Sequence, residues 1–215
     1  MWAKERPGYA DYAEWALDAG MFLFKRGERV LKNTGQTFRA FWRDGFEGER
    51  ATLADWRLHL NTLFPEARLK NTLEVRACDA QSAQLSLAVP ALFTGLLYDE
   101  RALREADTLA RRFQLDTLEA ARPALVRDGL AASVAGSPVR PLAEELVEIA
   151  LGGLERRARF DGEGRDERRY LAPLARLTHA GKCPADLALE GLVPGQTLSV
   201  DEIIARTRLP LPPLA

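Results

Sequence analysis

Between residues 68 and 76 the side chains alternate in character, and this alternation constrains the fold more than any other stretch of the chain. In an extended strand, successive side chains point to opposite faces. One face would carry Arg68, Lys70, Thr72, Glu74 and Arg76, and the other Leu69, Asn71, Leu73 and Val75. The stretch 64–79 therefore predicts a β-strand with one largely apolar face and one face bearing three cations around a carboxylate.

Two interpretations of the charged face follow from this pattern. A strand at the edge of a sheet can carry solvated charges that discourage aggregation. A strand inside a domain needs a partner for such a face, and a polyphosphate with a divalent cation would be one. A long apolar helix is predicted to begin near Gln81, which favours the interior strand.

The remaining patterns predict an α+β fold. Before the charged stretch, a short helix is expected from Tyr9 and a hairpin around Gly27, and Thr37 and Thr52 are expected to cap two helices. Beyond it, the periodicity is helical. Helices are expected over 81–98 with a bend at Pro90, over 100–113, from 116 or 117 toward 134, from 141, over 170–180, and from 183, with a turn at 135–138 and an extended tail over 209–215.

We therefore expect a few N-terminal antiparallel strands followed by a mainly helical layer. No repeat or linker divides the chain, so residues 1–215 are predicted to form a single domain, with its strand-containing part over about 1–80 and its helical part over about 81–208.

Composition excludes several classes of partner. A net charge of −1 gives no global field for nucleic acid or an anionic membrane. The longest apolar run, 85–98, is too short for a bilayer span. Two distant cysteines, Cys78 and Cys183, form neither a zinc framework nor a disulfide scaffold, and the first residues lack the apolar core of a signal peptide. We expect a cytoplasmic protein.

Candidate chemistry outside the charged stretch is sparse. We expect structural roles for His59 and His179. Cys183 has no neighbour in sequence that would activate its thiol. Histidine and cysteine do not cluster in the sequence, so any metal would be a hard cation held by carboxylates, Mg²⁺ first.

The residues around the charged stretch resemble a known family. The run Leu60-Asn-Thr-Leu-Phe-Pro-Glu-Ala-Arg-Leu-Lys-Asn-Thr-Leu-Glu-Val-Arg-Ala-Cys-Asp79 and its continuation Leu87-Ala-Val-Pro-Ala-Leu-Phe-Thr-Gly-Leu-Leu-Tyr-Asp99 resemble the signature of the plant- and proteobacterial-type glutamate–cysteine ligases. Shorter pieces match in the same order, such as Gly35-Gln-Thr-Phe-Arg-Ala-Phe. The chain is similar to the C-terminal half of that family, whose first half carries a Glu-x-Glu segment.

The resemblance implies a glutamine-synthetase-like carboxylate–amine ligase whose strands would form part of that sheet. Such an enzyme uses ATP and Mg²⁺ to make γ-glutamylcysteine through γ-glutamyl phosphate, the first step of glutathione biosynthesis. By resemblance, Glu74 is the ligand of a magnesium ion, Arg76 faces the transferred phosphoryl group as the catalytic residue, and Arg68 and Lys70 bind the nucleotide with it. The substrates would be glutamate and cysteine or another amine, and a separate N-terminal ligase half would be the protein partner.

The chain also departs from the family pattern. Asn71-Thr72 stands where the family has Arg-Tyr, and Ala77 where it has Gly. Two hypotheses stay open: part of an ATP-dependent ligase, incomplete on its own, and a non-catalytic ligase-like domain that pairs with another chain.

Overall fold

The computed structural model of the chain describes residues 7–193 and 195–208 and confirms an α+β fold that is mostly helical. The chain divides into two compact units, Met1–Cys78 and Asp79–Ala215. Every strand described in the first unit belongs to an antiparallel pair, and the second unit is mainly helical. That the two units form one domain stays a prediction, and the tail over 209–215 lies outside the described residues.

The described part of the first unit, residues 7–78, contains three helices and two hairpins. In chain order they are α1 (Tyr9–Asp18), β1 (Leu23–Arg26), β2 (Arg29–Lys32), α2 (Phe38–Asp44), α3 (Leu53–Thr62), β3 (Ala67–Leu69) and β4 (Leu73–Val75). The predicted first helix, first hairpin and both threonine caps are confirmed. Thr37 Oγ1 accepts a hydrogen bond from Ala40 N at 3.1 Å, and Thr52 shares a reciprocal capping box with Asp55.

Aromatic side chains fill the core of this unit. Met21, Phe24, Phe38 and Phe41 are buried together, and the rings of Phe24 and Phe41 lie 4.8 Å apart between centroids. The β1–β2 hairpin supplies Phe24 and α2 supplies Phe38 and Phe41. The core thus ties the first hairpin to the helix that follows it.

The prediction of a single strand over 64–79 is wrong. The stretch folds back on itself as the β3–β4 hairpin, with Arg68 opposite Glu74 and Leu69 opposite Leu73. Three polar residues at the tip, 70–72, are compatible with a tight connection, and the Lys70 N–H donates to Thr72 O at 3.0 Å. Among the described residues β3 and β4 pair only with each other, so no larger sheet contains them.

The second unit contains seven α-helices among its described residues, with one short hairpin between them. They are α4 (Ala83–Leu97), α5 (Glu100–Ala110), α6 (Leu115–Asp128), β5 (Ser133–Val134), β6 (Ser137–Pro138), α7 (Val139–Arg157), α8 (Arg168–His179), α9 (Pro184–Leu189) and α10 (Val200–Thr207). None of the described helices is long and apolar enough to cross a membrane.

One helix of this unit ends earlier than its sequence pattern suggested. The helix predicted to run toward Val134 stops at Asp128, and a 3₁₀ turn then leads into the β5–β6 hairpin. Gly129 follows the helix with a φ of +53°, which favours glycine. The predicted turn at 135–138 is confirmed, and Ala135 and Gly136 both have positive φ, as in a type I′ turn.

Helices α4, α7 and α8 form the core of the second unit. Its buried cluster is Ala91, Leu96, Ala150, Leu154 and Leu171. Gly95 and Gly153 let α4 and α7 approach closely: a Cβ added at Gly153 would lie 2.0 Å from the carbonyl oxygen of Gly95. Small residues at this crossing therefore set the distance between the two helices.

Candidate functional site

The β3–β4 hairpin brings two of the predicted site residues into direct contact. Arg68 and Glu74 are cross-strand partners, and residues directly opposite each other in an antiparallel pair share a face. Arg68 Nε and Nη2 both donate to Glu74 Oε2, at 2.8 Å and 2.5 Å. Only 8% of Arg68 is exposed, so this ion pair is largely withdrawn from solvent on the arginine side.

Arg76 binds the second oxygen of the same carboxylate. Its Nη1 donates to Glu74 Oε1 at 2.7 Å, and the Arg76 backbone N–H donates to Glu66 O at 2.7 Å, which extends the pairing beyond β4. The Arg76 side chain is 33% exposed. We refer to Arg68, Glu74 and Arg76 as the arginine–glutamate cluster.

The ring of Phe64 lies beside both guanidinium groups. The Cζ atoms of Arg68 and Arg76 are 5.5 Å and 5.0 Å from the centroid of this ring. An aromatic face attracts cations through its quadrupole, and planar guanidinium groups suit it better than ammonium groups do. Phe64, which follows α3 and directly precedes Pro65, thus helps to place both arginines around one carboxylate.

The two arginines keep Glu74 ionised. Hydrogen bonds from Arg68, and then from Arg76, hold the pKa of the Glu74 carboxyl below its ordinary value, against a smaller opposing effect of burial. The cluster carries two cations and one anion, so it has a net positive charge that can attract an anionic ligand.

Lys70 does not join the cluster. It lies in the exposed turn between β3 and β4, and its side chain has no described contact with Glu74. The structure therefore assembles three of the four residues that the sequence pointed to. The roles assigned to all four by resemblance stay predictions.

The donor set of the cluster fits the groups that the resemblance implies. Mg²⁺ is commonly bound through one or two carboxylates together with substrate phosphates, and Glu74 supplies one partly exposed carboxylate. Arg68 and Arg76 have the planar forks that suit phosphate oxygens. The described ranges contain no group of three or more His, Cys, Asp or Glu side chains positioned to hold a metal ion.

The opposite face of the hairpin is only partly packed. Ala67, Leu69 and Leu73 line a cleft of about 280 Å³ together with residues at the start of the chain's first helix, and Leu73 is 57% exposed. The sequence predicted this face as apolar and fit to pack on a core. It is apolar, but the packing is incomplete within the first unit.

A second ion cluster lies in this unit and was not predicted from the sequence. Arg26 Nε donates to Glu49 Oε2 at 2.7 Å and Nη1 to Asp55 Oδ1 at 2.9 Å, and Asp55 is buried. Hydrogen bonds from Arg26 and Thr52 outweigh burial and leave the pKa of Asp55 lowered. The available signal was the Thr52 cap, which predicted a helix start. The spacing Thr52-x-x-Asp55 indicates a capping box but does not reveal the distant arginine that pairs with Asp55. The contacts of this cluster within residues 7–78 join Arg26 to Glu49, Asp55 and the backbone, so the cluster fixes β1 against α3.

Comparison with known proteins gives the family context of this geometry. The family model described as glutamate-cysteine ligase family 2 (GCS2) matches residues 1–202. The chain is 35% identical over 186 residues to a chloroplastic glutamate–cysteine ligase of Medicago truncatula. This alignment covers 85% of this chain and 35% of that protein. It is 34% identical over 185 residues to the chloroplastic glutamate–cysteine ligase A of Oryza sativa subsp. indica, covering 85% of this chain and 36% of the relative. A chloroplastic glutamate–cysteine ligase of Arabidopsis thaliana is 32% identical over 186 residues, which cover 85% and 34% of the two chains.

The matched region is a fraction of each relative. The chain spans about a third of the length of the curated relatives it matches. That the chain corresponds to the C-terminal half of the family stays a prediction.

Proposed function

This chain belongs to glutamate-cysteine ligase family 2, and from that premise we propose that it forms part of an ATP- and Mg²⁺-dependent carboxylate–amine ligase. The reaction would be the synthesis of γ-glutamylcysteine from glutamate and cysteine, the first step of glutathione biosynthesis. The single observation that carries the proposal is the arginine–glutamate cluster: two guanidinium groups and one carboxylate, on a hairpin whose sequence resembles the family signature outside its turn.

The proposed chemistry has two steps. The γ-carboxylate of glutamate attacks the terminal phosphorus of ATP, which forms γ-glutamyl phosphate and releases ADP. The amine of cysteine then attacks the acyl carbon and displaces phosphate, and the amine gives up a proton. Bound Mg²⁺ would neutralise phosphate charge during the first step.

The residues of this chain would contribute charge and orientation. Arg76, the more exposed arginine, would pair with oxygens of the transferred phosphoryl group. Glu74, kept ionised by its arginines, would supply a carboxylate ligand to the magnesium ion. Arg68 and Lys70 would add positive charge near the nucleotide. We place this reaction in the cytoplasm, as the composition suggested.

Further groups would come from outside the matched third of the relatives. The resemblance points to a Glu-x-Glu segment as the source of additional carboxylates, on a separate N-terminal ligase half or on the same polypeptide. The acceptor amine could also differ from cysteine, because Asn71 and Thr72 stand where the family has Arg-Tyr.

A second candidate is a non-catalytic ligase-like domain that pairs with another chain. Asn71 and Thr72 favour it, since both lie in the exposed turn beside the cluster and replace a cation and an aromatic ring of the family pattern. Glu74 also already has both carboxylate oxygens bound by arginines. In this candidate the cluster would be an internal ion network or an interface.

Calorimetric titration with Mg²⁺-ATP distinguishes the two candidates. We would titrate the full chain with and without glutamate, and again with the first half of a family member supplied as a separate chain. The ligase proposal expects Mg²⁺-dependent nucleotide binding in at least one of these mixtures. If none of them releases or absorbs heat, the ligase proposal fails and the non-catalytic domain stands.

Two substitutions tie such binding to the cluster. Arg76→Lys should weaken Mg²⁺-ATP binding about tenfold or more, because a point charge replaces a bidentate fork, and Glu74→Gln should remove most of the Mg²⁺ dependence. Arg57→Lys is the matched control: Arg57 is an exposed residue of α3 and should bind like the wild type. Melting temperatures within a few degrees of the wild type would show that each variant is folded. Unchanged binding in both cluster variants would remove the cluster from the proposed site.

A further inference from the structure

The two arginines hold Glu74 in different ways. Arg68 directs two N–H groups at one oxygen, Oε2, and its Nη1 points to Leu63 O at 3.5 Å. Arg76 directs one N–H at the other oxygen, Oε1. The side chain of Arg68 is 9% exposed and that of Arg76 is 33% exposed.

Because of these differences, separating Arg68 from Glu74 requires more free energy than separating Arg76 from Glu74. If Arg68 left Glu74, a buried guanidinium would lose its charged partner, which is strongly unfavourable. If Arg76 left Glu74, water could solvate the departing guanidinium, and an exposed ion pair contributes little to stability. Arg76 also lies over the Phe64 ring, with its Cζ 5.0 Å from the ring centroid.

We propose that Arg68 is a positioning residue that holds Glu74 in place, and that Arg76 is the exchangeable partner that leaves Glu74 Oε1 when an anionic ligand binds. This inference rests on the proposed function. It differs from the expectation that Arg68 contacts the nucleotide: Arg68 acts through Glu74. Arg76 then turns to phosphate oxygens, and the freed carboxylate oxygen becomes available to a divalent cation.

A double-mutant cycle on ligand binding tests this division of roles. Affinity for ATP would be measured by calorimetry with Mg²⁺ and with EDTA, in the mixture that binds, for Arg68→Lys, Arg76→Lys, Glu74→Gln and the two arginine–glutamate double variants. A residue that acts only through Glu74 has no further effect once Glu74 is replaced. The quantity compared is the affinity for ATP with Mg²⁺ divided by the affinity with EDTA. We expect Arg68→Lys alone to lower this ratio about tenfold, and to lower it less than about twofold in the Glu74→Gln background.

Arg76→Lys should behave differently in the same cycle. Because it would contact phosphate itself, it should weaken ATP binding with EDTA present and should still do so in the Glu74→Gln background. If Arg68→Lys also weakens ATP binding in that background, Arg68 contacts the nucleotide and the positioning role is wrong.

A stability cycle on the unliganded chain keeps the inference separate from the proposed function. Urea unfolding would be measured for Arg68→Met, Arg76→Met, Glu74→Gln and the double variants, with Arg68→Lys in reserve if Arg68→Met does not fold. We expect the Arg68–Glu74 coupling to change the unfolding equilibrium constant about fivefold or more, and the Arg76–Glu74 coupling less than about twofold.

The two experiments fail in distinguishable ways. A wild-type chain that binds no Mg²⁺-ATP in any mixture overturns the proposed function, whereas equal couplings in the stability cycle, or a larger one for Arg76, overturn the positioning role. Arg57→Met, in the same unit but outside the cluster, should show no coupling to Glu74→Gln in either experiment.

Discussion

The imidazole of His59 lies against the rings of Phe38 and Trp56, and only 1% of the residue is exposed. Its Nε2 is 2.8 Å from Ala16 O, and a carbonyl oxygen can only accept, so Nε2 carries the proton. Nδ1 is buried without a hydrogen-bond partner. Protonation would therefore create a buried N–H with no acceptor, and burial lowers the pKa of His59 from its ordinary value of 6.5.

This setting predicts how the stability of the first unit depends on pH. With a folded-state pKa below 6.5, the unfolded chain binds more protons as the pH falls from 6.5 toward the folded-state value. The stabilising contribution of neutral His59 is thus present above pH 6.5 and is lost as the pH falls below it, by at most about 1.4 kcal/mol per pH unit. Urea unfolding followed by tryptophan fluorescence at about pH 7.5 and about pH 5 measures this loss.

His59→Gln should flatten that dependence at the cost of some stability at high pH, since glutamine does not titrate. His179→Gln is the natural control, because the chain has two histidines and His179 is half exposed near the end of α8 in the other unit. It should keep the wild-type pH dependence in the fluorescence measurement. A wild-type slope in His59→Gln would mean that other groups cause the loss.

At the scale of the elements, two adjacent glycines of α7 face different surroundings. A Cβ at Gly153 would lie 2.0 Å from Gly95 O and 3.0 Å from the side chain of Ala102. A Cβ at Gly152 would meet the guanidinium of Arg156 at 3.1 Å, the end of a flexible side chain that can move. Glycine is therefore required at one position and only tolerated at the next.

The two alanine substitutions should have opposite signs. Gly153→Ala should lower the free energy of unfolding of the second unit by about 1–3 kcal/mol or more, because backbone must move apart. Gly152→Ala should raise it by up to about 1 kcal/mol, as expected for glycine in a helix interior. Urea unfolding followed by circular dichroism measures both, and a stable Gly153→Ala variant would show that the α4–α7 crossing can open at little cost.

Arg68 and Glu74 were predicted to lie on the same face, and they do, although the predicted single strand is a hairpin. Alternation along a single strand predicted that Arg68 and Glu74 share one face. The hairpin pairs residues whose numbers add to 142, so each residue lies opposite one of the same parity and the assignment survives the fold-back. Alternation cannot reveal the turn, because polar residues at 70–72 are compatible with a strand face as well.

Other misses have local physical causes. The Thr52 cap predicted the start of α3, but that pattern does not show that Leu53 is 63% exposed while Asp55 and His59 are buried. Asp55 and His59 can be buried because each has a partner distant in sequence: Arg26 neutralises Asp55, and Ala16 O accepts a hydrogen bond from His59. The late end predicted for α6 was wrong because the positive φ of Gly129 stops the helix, and a glycine alone in a sequence does not fix its φ.

At the scale of the whole molecule, each unit has its own hydrophobic cluster. Phe24 and Phe41 anchor the cluster in Met1–Cys78, and Leu154 and Leu171 anchor the one in Asp79–Ala215. All four tryptophans fall in the first unit by sequence, whereas most of the described helical residues belong to the second. Tryptophan fluorescence therefore reports on the first unit, and far-ultraviolet circular dichroism mainly on the second.

These two signals test whether residues 1–215 behave as the single domain that the sequence predicted. Separate clusters lead us to expect two urea transitions that do not coincide. Gly153→Ala tests this independence further. It should move the dichroism transition to lower urea and leave the fluorescence transition within experimental error of the wild type. Gly152→Ala should move the dichroism transition the other way, again without the fluorescence. Coincident transitions that shift together in both variants would instead establish one cooperative domain, and the pH dependence caused by His59 would then appear in both signals.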